Sequence, residues 1–191
     1  MELEGQRKIE NNPNCVWEAL VDPNVLQECI PGCKSMIGDP NSGFEAVLVE
    51  KVGPVKATFK CQIELTDIVP GQSCTISGQG KGGPAGFAKG EAKIVLEEFQ
   101  GGTLLSYKVQ ARVGGKIAQL GSRIIDGFAK KVAEEFFANF QESIENRDQD
   151  SRAAIDAQES TDNIETSPGG KIVSWHEKAW NWVRFRFGDS K

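Results

Sequence analysis

Apolar and polar residues alternate along most of the first 113 positions of this chain, and then the rhythm changes. Leu3, Gly5, Arg7 and Ile9 alternate with charged neighbours and predict a first strand over 2–10. Phe44, Ala46 and Leu48 over 43–51, then Ala57, Phe59, Cys61, Ile63 and Leu65 over 55–69, keep the same period. Three more runs follow. The first carries Cys74, Ile76 and Gly78; the second Ala88, Gly90, Ala92, Ile94 and Leu96; the third Leu105, Tyr107, Val109, Ala111 and Val113. Gly53-Pro54, Pro70-Gly71 and Gly101-Gly102 separate the runs as turns. Alternation of this kind predicts an antiparallel sheet with one apolar and one wet face.

Two short helices interrupt the strands. Pro13 opens the first, over 13–21, with Asn11 or Asn12 as its cap and Val16, Trp17 and Leu20 on its apolar face. Asp22-Pro23 ends it and starts a second, carrying Val25, Leu26 and Ile30, before a Pro31-Gly32 turn. After Gly114-Gly115 the apolar residues recur at three and four: Ile117, Leu120, Gly121, Ile124, Phe128, Val132, Phe136, Phe140 and Ile144. This predicts one long helix over 116–145. The order β, α, α, many β, long α gives an α+β domain over residues 1–145, with the long helix laid across a curved sheet.

Two interiors fit that pattern. The apolar faces can pack solid, as most do. Alternatively, small inward residues at Ala57, Gly78, Ala88, Gly90, Ala92 and Ala111 leave a void. Its expected lining is Phe59, Ile63, Leu65, Ile76, Phe87, Ile94, Leu105, Tyr107, Leu120, Ile124 and Phe128. Gly78-Gln79-Gly80-Lys81-Gly82-Gly83 matches a dinucleotide-binding fingerprint, but Pro84 and a two-residue period follow it rather than a helix. A hairpin or bulge with close backbone approach is the better reading.

Beyond residue 145 the character changes. Residues 146–168 are polar, with two arginines against six carboxylates, and together with Gly169-Gly170 predict a disordered linker over 146–170. The tail, 171–191, begins KIVSWHEKAWNWVRFRF. On a helix, Trp175, Trp180, Trp182, Val183 and Phe187 share one broad apolar arc, flanked by Arg184 and Arg186. Residues 171–187 carry a net charge of +3, on a chain of net −5. Basic residues near anionic headgroups contribute about 1 kcal/mol each. A membrane surface, a groove on a partner protein and the chain's own domain can each receive such a helix.

Composition narrows the chemistry. A net charge of −5 argues against general nucleic-acid binding. The start is polar, with no export signal, and no apolar run nears the roughly 20 residues that span a bilayer. A cytoplasmic protein, peripheral at most, is the expectation. Cys15, Cys29, Cys33, Cys61 and Cys74 are odd in number and read as free thiols without a metal set. The single histidine, His176, lies in the tail, so the domain has none for acid–base work, and no pair of carboxylates is brought together by spacing. No catalytic residue, metal or covalent cofactor is assigned.

Four segments, in order, resemble the CoxG family of carbon monoxide dehydrogenase proteins. They are Pro31-Gly32-Cys33; Gly53-Pro54-Val55-Lys56-Ala57-Thr58-Phe59; Gly80 to Gly90, reading GKGGPAGFAKG; and Gly114 to Arg123, reading GGKIAQLGSR. One departure is Ala57, where the family often carries glycine. The resemblance covers roughly 1–145 and implies a START/Bet v 1-like, helix-grip fold: a curved antiparallel sheet around a long C-terminal helix, with an apolar cavity between. It further implies an accessory protein, not an enzyme, that recruits a molybdenum-containing hydroxylase to the cytoplasmic face of the cell membrane. A hydrophobic ligand is expected in the cavity, with a membrane quinone as one candidate. An adaptor without a ligand, whose tail docks on a partner, is the alternative. A carrier or enzyme of the same superfamily is a third.

Overall fold

The computed structural model describes residues 1–162, and the side chains of residues 1–147. Strands β1 (Glu2–Ile9), β2 (Cys33–Asp39), β3 (Gly43–Val52), β4 (Val55–Val69), β5 (Ser73–Lys81), β6 (Phe87–Phe99) and β7 (Gly102–Gly114) form one antiparallel sheet, ordered β1-β7-β6-β5-β4-β3-β2. Helices α1 (Pro13–Val21) and α2 (Pro23–Cys29) lie in the chain between the two edge strands, and α3 spans Ser122–Asp162. The architecture is the expected α+β helix-grip arrangement.

Local chemistry sets the element ends. Asn12 caps α1 by accepting from the Cys15 N–H at 3.0 Å, and Pro13 fills the first helical position. Asp22 does the same for α2, accepting from Asn24 N–H at 2.8 Å ahead of Pro23. The β6–β7 hairpin turns at Gln100 and Gly101, both at positive φ, so Gly102 already belongs to β7.

Three features depart from the sequence pattern. Strand β2 is an edge strand that the alternation does not reveal; its short CKSMIGD run contains Gly38 and a register shift between Cys33 and Ser35. The long helix does not begin at residue 116. A 3₁₀ turn, Ala118–Leu120, comes first, and Gly121 at φ +86 separates it from α3. At its other end α3 runs to Asp162, through much of the expected linker. No glycine or proline stands between Gly127 and Pro168 to stop a helix there. The rest of the linker, 163–170, and the tail lie outside the described residues. Trp175, Trp180, Trp182, Val183, Arg184, Arg186 and Phe187 are all among them.

Residues 1–152 form one compact unit. Within it the core is divided. The largest cluster joins Val16 and Ala19 of α1, Val25 and Cys29 of α2, and Phe140 and Ile144 of α3 to Ile9, Cys74, Ile94, Leu96, Leu105 and Tyr107 of the sheet. Phe136 packs edge-on to Phe137 and stacks on Phe140, and Phe137 stacks on Tyr107, with centroids 5.1–5.5 Å apart. Polar ties reinforce this end. Asn139 donates to the Cys29 carbonyl at 3.1 Å, Arg147 donates to Asp22 at 2.7 Å, and the buried Thr103 hydroxyl donates to the Asn11 carbonyl at 2.6 Å. Two smaller clusters, around Met36–Phe44–Ala46 and Phe59–Ala85–Ile117, sit apart from it. A domain of this size ordinarily has one contiguous core. Here a space lies between the clusters.

Candidate functional site: an apolar cavity beneath the long helix

The space is a cavity of about 520 Å³, within the range of small-molecule sites. Its floor follows from strand register. Across β4, β5, β6 and β7, one inward row reads Cys61, Gly80, Ala88, Val113 and the next Ile63, Gly78, Gly90, Ala111. Small residues in the middle of both rows keep the sheet surface low. Further along the same strands the inward residues grow: Cys74, Ile94 and Tyr107, then Leu96 and Leu105. There the space is filled.

The roof is the first half of α3: Ile125, Phe128, Ala129, Val132, Ala133 and Phe136. These residues are only half-buried, whereas Phe140 and Ile144 on the same stripe are buried. An apolar stripe that faces sheet yet stays accessible is facing empty space. Ala46, Leu48 and Val52 of β3 form one side wall, and Ile30, Pro31 and Met36 continue it.

Glu50 is the exception in this lining. Alternation along β3 puts it on the inward face with Ala46, Leu48 and Val52. Its carboxylate crowds Gly32, where an added Cβ would lie 2.6 Å from Oε1; Gly32 also has φ +71, so only glycine fits there without strain. Burial pushes the Glu50 carboxyl above its ordinary range, and Glu135 on α3 pushes the same way; Lys51 N–H and Lys131 oppose. Gln79 and Lys89 also border the cavity but are exposed, and the Gln79 amide donates to Gln62 at 2.9 Å.

Of the expected lining residues, Phe59, Ile63 and Phe128 border the cavity. Ile94, Leu105 and Tyr107 lie instead in the packed cluster, with Ile76 against it, and Leu65 packs against the Met36 cluster. Phe87 is corrected outright. It is 50% exposed, because it sits one position out of phase with Ala88 and Gly90, and its ring covers Gly114, where an added Cβ would meet it at 2.3 Å. Ile124 is likewise 44% exposed, and Leu120 sits in the 3₁₀ turn with its Cδ1 near Gly53. The break at Gly121 resets the helical phase, so Ile125 rather than Ile124 faces inward. Val109, Val113, Val132 and Phe136 line the space and already stand on the inward stripes of the sequence pattern. Leu48 and Val52 are readable from the β3 alternation. Met36 is not, since the pattern does not reveal its strand.

The glycine-rich segment is not a phosphate loop. Gly80 belongs to β5, and a three-residue 3₁₀ turn, Gly83–Ala85, leads into β6. An added Cβ on Gly82 would lie 2.5 Å from the Phe59 ring, and one on Gly80 would lie 3.0 Å from Cys61 Sγ. The glycines admit close packing. Burial raises the Cys29, Cys33, Cys61 and Cys74 thiols, Cys74 to about 11. Those four remain protonated at neutral pH and are poor nucleophiles. Among the described residues no helix is long and apolar enough to cross a membrane.

Comparison with known proteins agrees with this geometry. Among solved structures, a conserved protein from Geobacillus kaustophilus is 34% identical, with a TM-score of 0.71, covering 76% of this chain and 96% of that one. A protein from Rhizobium leguminosarum shares 14% identity with a TM-score of 0.61, covering 76% and 95%. Ara h 8.0201 shares 16% with a TM-score of 0.56, covering 76% and 98%. The last two likenesses show the fold alone, which is Bet v 1-like. Among curated proteins none matches. The family model of CoxG, a carbon monoxide dehydrogenase protein, matches residues 5–145, so the chain belongs to the CoxG family.

Proposed function

We propose that this chain is a non-enzymatic accessory protein of a carbon monoxide dehydrogenase-like molybdenum hydroxylase, and that it carries a hydrophobic ligand for that partnership. Family membership supports the first part. The observation that supports the second is the cavity of about 520 Å³, floored by Gly78, Gly90 and Ala111 and roofed by the half-buried stripe of α3. Empty apolar space of this size forfeits the packing contacts that a solid core would make. An apolar guest restores them.

A membrane quinone fits this reading. It is apolar over most of its surface and has polar oxygens at one end. Glu50, the inward carboxyl whose proton is retained above the ordinary range, can donate a hydrogen bond to a carbonyl oxygen. The aromatic, basic tail at 171–187 would keep the protein on the inner membrane face, beside the quinone pool. Organic extraction of the purified full chain, followed by titration with a short-chain quinone, tests the ligand. A recovered lipid-soluble quinone and saturable one-to-one binding are expected. A clean extract with no saturable binding contradicts the quinone. For the tail, full-length protein should co-sediment with anionic vesicles and a 1–168 truncation should not; equal behaviour of the two would favour a protein partner.

A further inference from the structure

One end of the domain carries a charge pattern that neither the cavity nor the tail requires. Three connecting segments meet there. An added Cβ on Gly53, in the β3–β4 turn, would lie 3.7 Å from Ile124 and 3.8 Å from Leu120. Ile117 N–H donates to the Ala85 carbonyl at 3.0 Å, joining the 3₁₀ turn before α3 to the β5–β6 connection. Segments 51–56, 81–90 and 112–125 together contain Lys51, Lys56, Lys81, Lys89, Arg112, Lys116 and Arg123, and no acidic residue. The rest of residues 1–145 has eight basic against nineteen acidic residues. The domain is therefore strongly polarised.

All seven cations are exposed, and none makes an ion pair among the described residues. Lys51 stands directly opposite Lys56 in the ladder, and Lys89 opposite Arg112. Like charges placed opposite each other weaken a sheet. Among them Phe87 is 50% and Ile124 44% exposed, and Pro54 is exposed as well. The cavity lining reaches the same end at Val52, Ile117 and Ile125.

We infer that this end is a second, tail-independent membrane contact: the seven basic residues seat it on anionic lipid headgroups while Phe87, Ile124 and Pro54 dip into the interface. Cations surrounding isolated apolar side chains on loop tips are the chemistry of an interfacial binder, whereas a protein partner would ordinarily meet a continuous apolar patch. Such seating would bring the cavity's end to the bilayer, where an apolar guest can leave lipid without crossing water. That consequence rests on the ligand reading above; the contact itself does not.

The test uses the full chain, tail included. Hydrogen exchange is followed with phosphatidylglycerol-containing vesicles and with pure phosphatidylcholine vesicles. Slowed exchange at residues 51–56, 82–86 and 115–124 is expected on the anionic vesicles only. Combined Lys51→Glu, Lys116→Glu and Arg123→Glu should abolish that protection and weaken vesicle binding about tenfold or more. Lys8→Glu, Lys93→Glu and Lys130→Glu together, an equal change in net charge elsewhere, should leave both intact. Unchanged exchange at the three segments while the protein sediments with vesicles would overturn the inference, because the tail would then do all the docking. Protection arising only with an acidic protein partner would overturn it too. Protection on vesicles with no extractable ligand would retain this contact and reject the carrier reading.

Discussion

The two ends of the sheet obey one rule and reach opposite outcomes. Both present alternate residues of the same strands to the same helix. At the end covered by α1 and α2, the inward residues are Ile94, Leu96, Leu105 and Tyr107, and they meet Phe136, Phe137, Phe140 and Ile144 in a closed cluster. At the other end the inward residues are Gly78, Gly80, Ala88, Gly90 and Ala111, and α3 stands over a void. Pattern determines which face is buried. Side-chain bulk along that face determines whether burial means contact or space. Stability and capacity are thereby separated along a single helix.

Substitutions at the two ends should therefore fail in different ways. The largest effect belongs to the packed end. Leu105 and Phe140 are fully buried, so Leu105→Ala or Phe140→Ala should destabilise by about 3–5 kcal/mol in denaturant unfolding. A loss under about 1 kcal/mol would mean that this end is not packed as described.

The hollow end should tolerate the opposite change. A Cβ on Gly78 would make only ordinary contacts, 3.8 Å from Gln62 O and from Ile63 Cγ1, and Gly78 is in extended backbone without positive φ. Gly78→Leu should fill the cavity and reduce ligand affinity about tenfold or more, a shift of roughly 1.4 kcal/mol. Folding stability should hold or rise, since glycine weakens a strand interior. Marked destabilisation would show that the space is already filled.

A smaller effect sits at the Arg147–Asp22 tie. Burial opposes the Asp22 charge, but the Arg147 hydrogen bond, the Asn24 and Val25 N–H groups and the Arg147 charge outweigh it, so its carboxyl titrates below the ordinary value of 3.8. Its folded pKa is depressed. The stabilisation is therefore present above pH 3.8 and lost as pH falls through the lower folded value. Arg147→Ala should lose about 0.5–1 kcal/mol at neutral pH and much less in acid, read by denaturant midpoints across pH.

The smallest effect is at Glu50, and its sign is reversed. The folded state holds this proton above the ordinary value of 4.5, so the folded protein binds more protons than the unfolded chain. Stability should decline as pH rises from 4.5 through the folded value, and Glu50→Gln should flatten that decline. An unaltered slope in the variant would remove Glu50 from the buried lining.

Much of this is legible in the sequence. Two-residue periods locate six of the seven strands, and the Asn-Pro and Asp-Pro junctions locate both short helices. The small inward residues Gly78, Ala88, Gly90 and Ala111 mark the hollow floor by their size alone. Periodicity cannot say where along a strand the helix stands off, so Ile94, Leu105 and Tyr107 carry the same signal as Ile63 but lie in the packed cluster. Gly121 hides a change of phase: a period counted through it points to Ile124, while the helix that restarts at Ser122 points Ile125 inward. Glu50 reads as an ordinary charged strand residue. Only the register of β3 reveals it as the inward carboxyl.

Native mass spectrometry of the full chain and of Gly78→Leu, both purified from cells without detergent, tests the hollow end most directly. Wild-type protein should carry one lipid-soluble adduct per chain, released by organic solvent, and the variant should run at its bare mass while unfolding at the same or higher denaturant concentration. Bare wild-type protein, or an adduct that the leucine leaves undisturbed, would contradict a cavity that holds a guest.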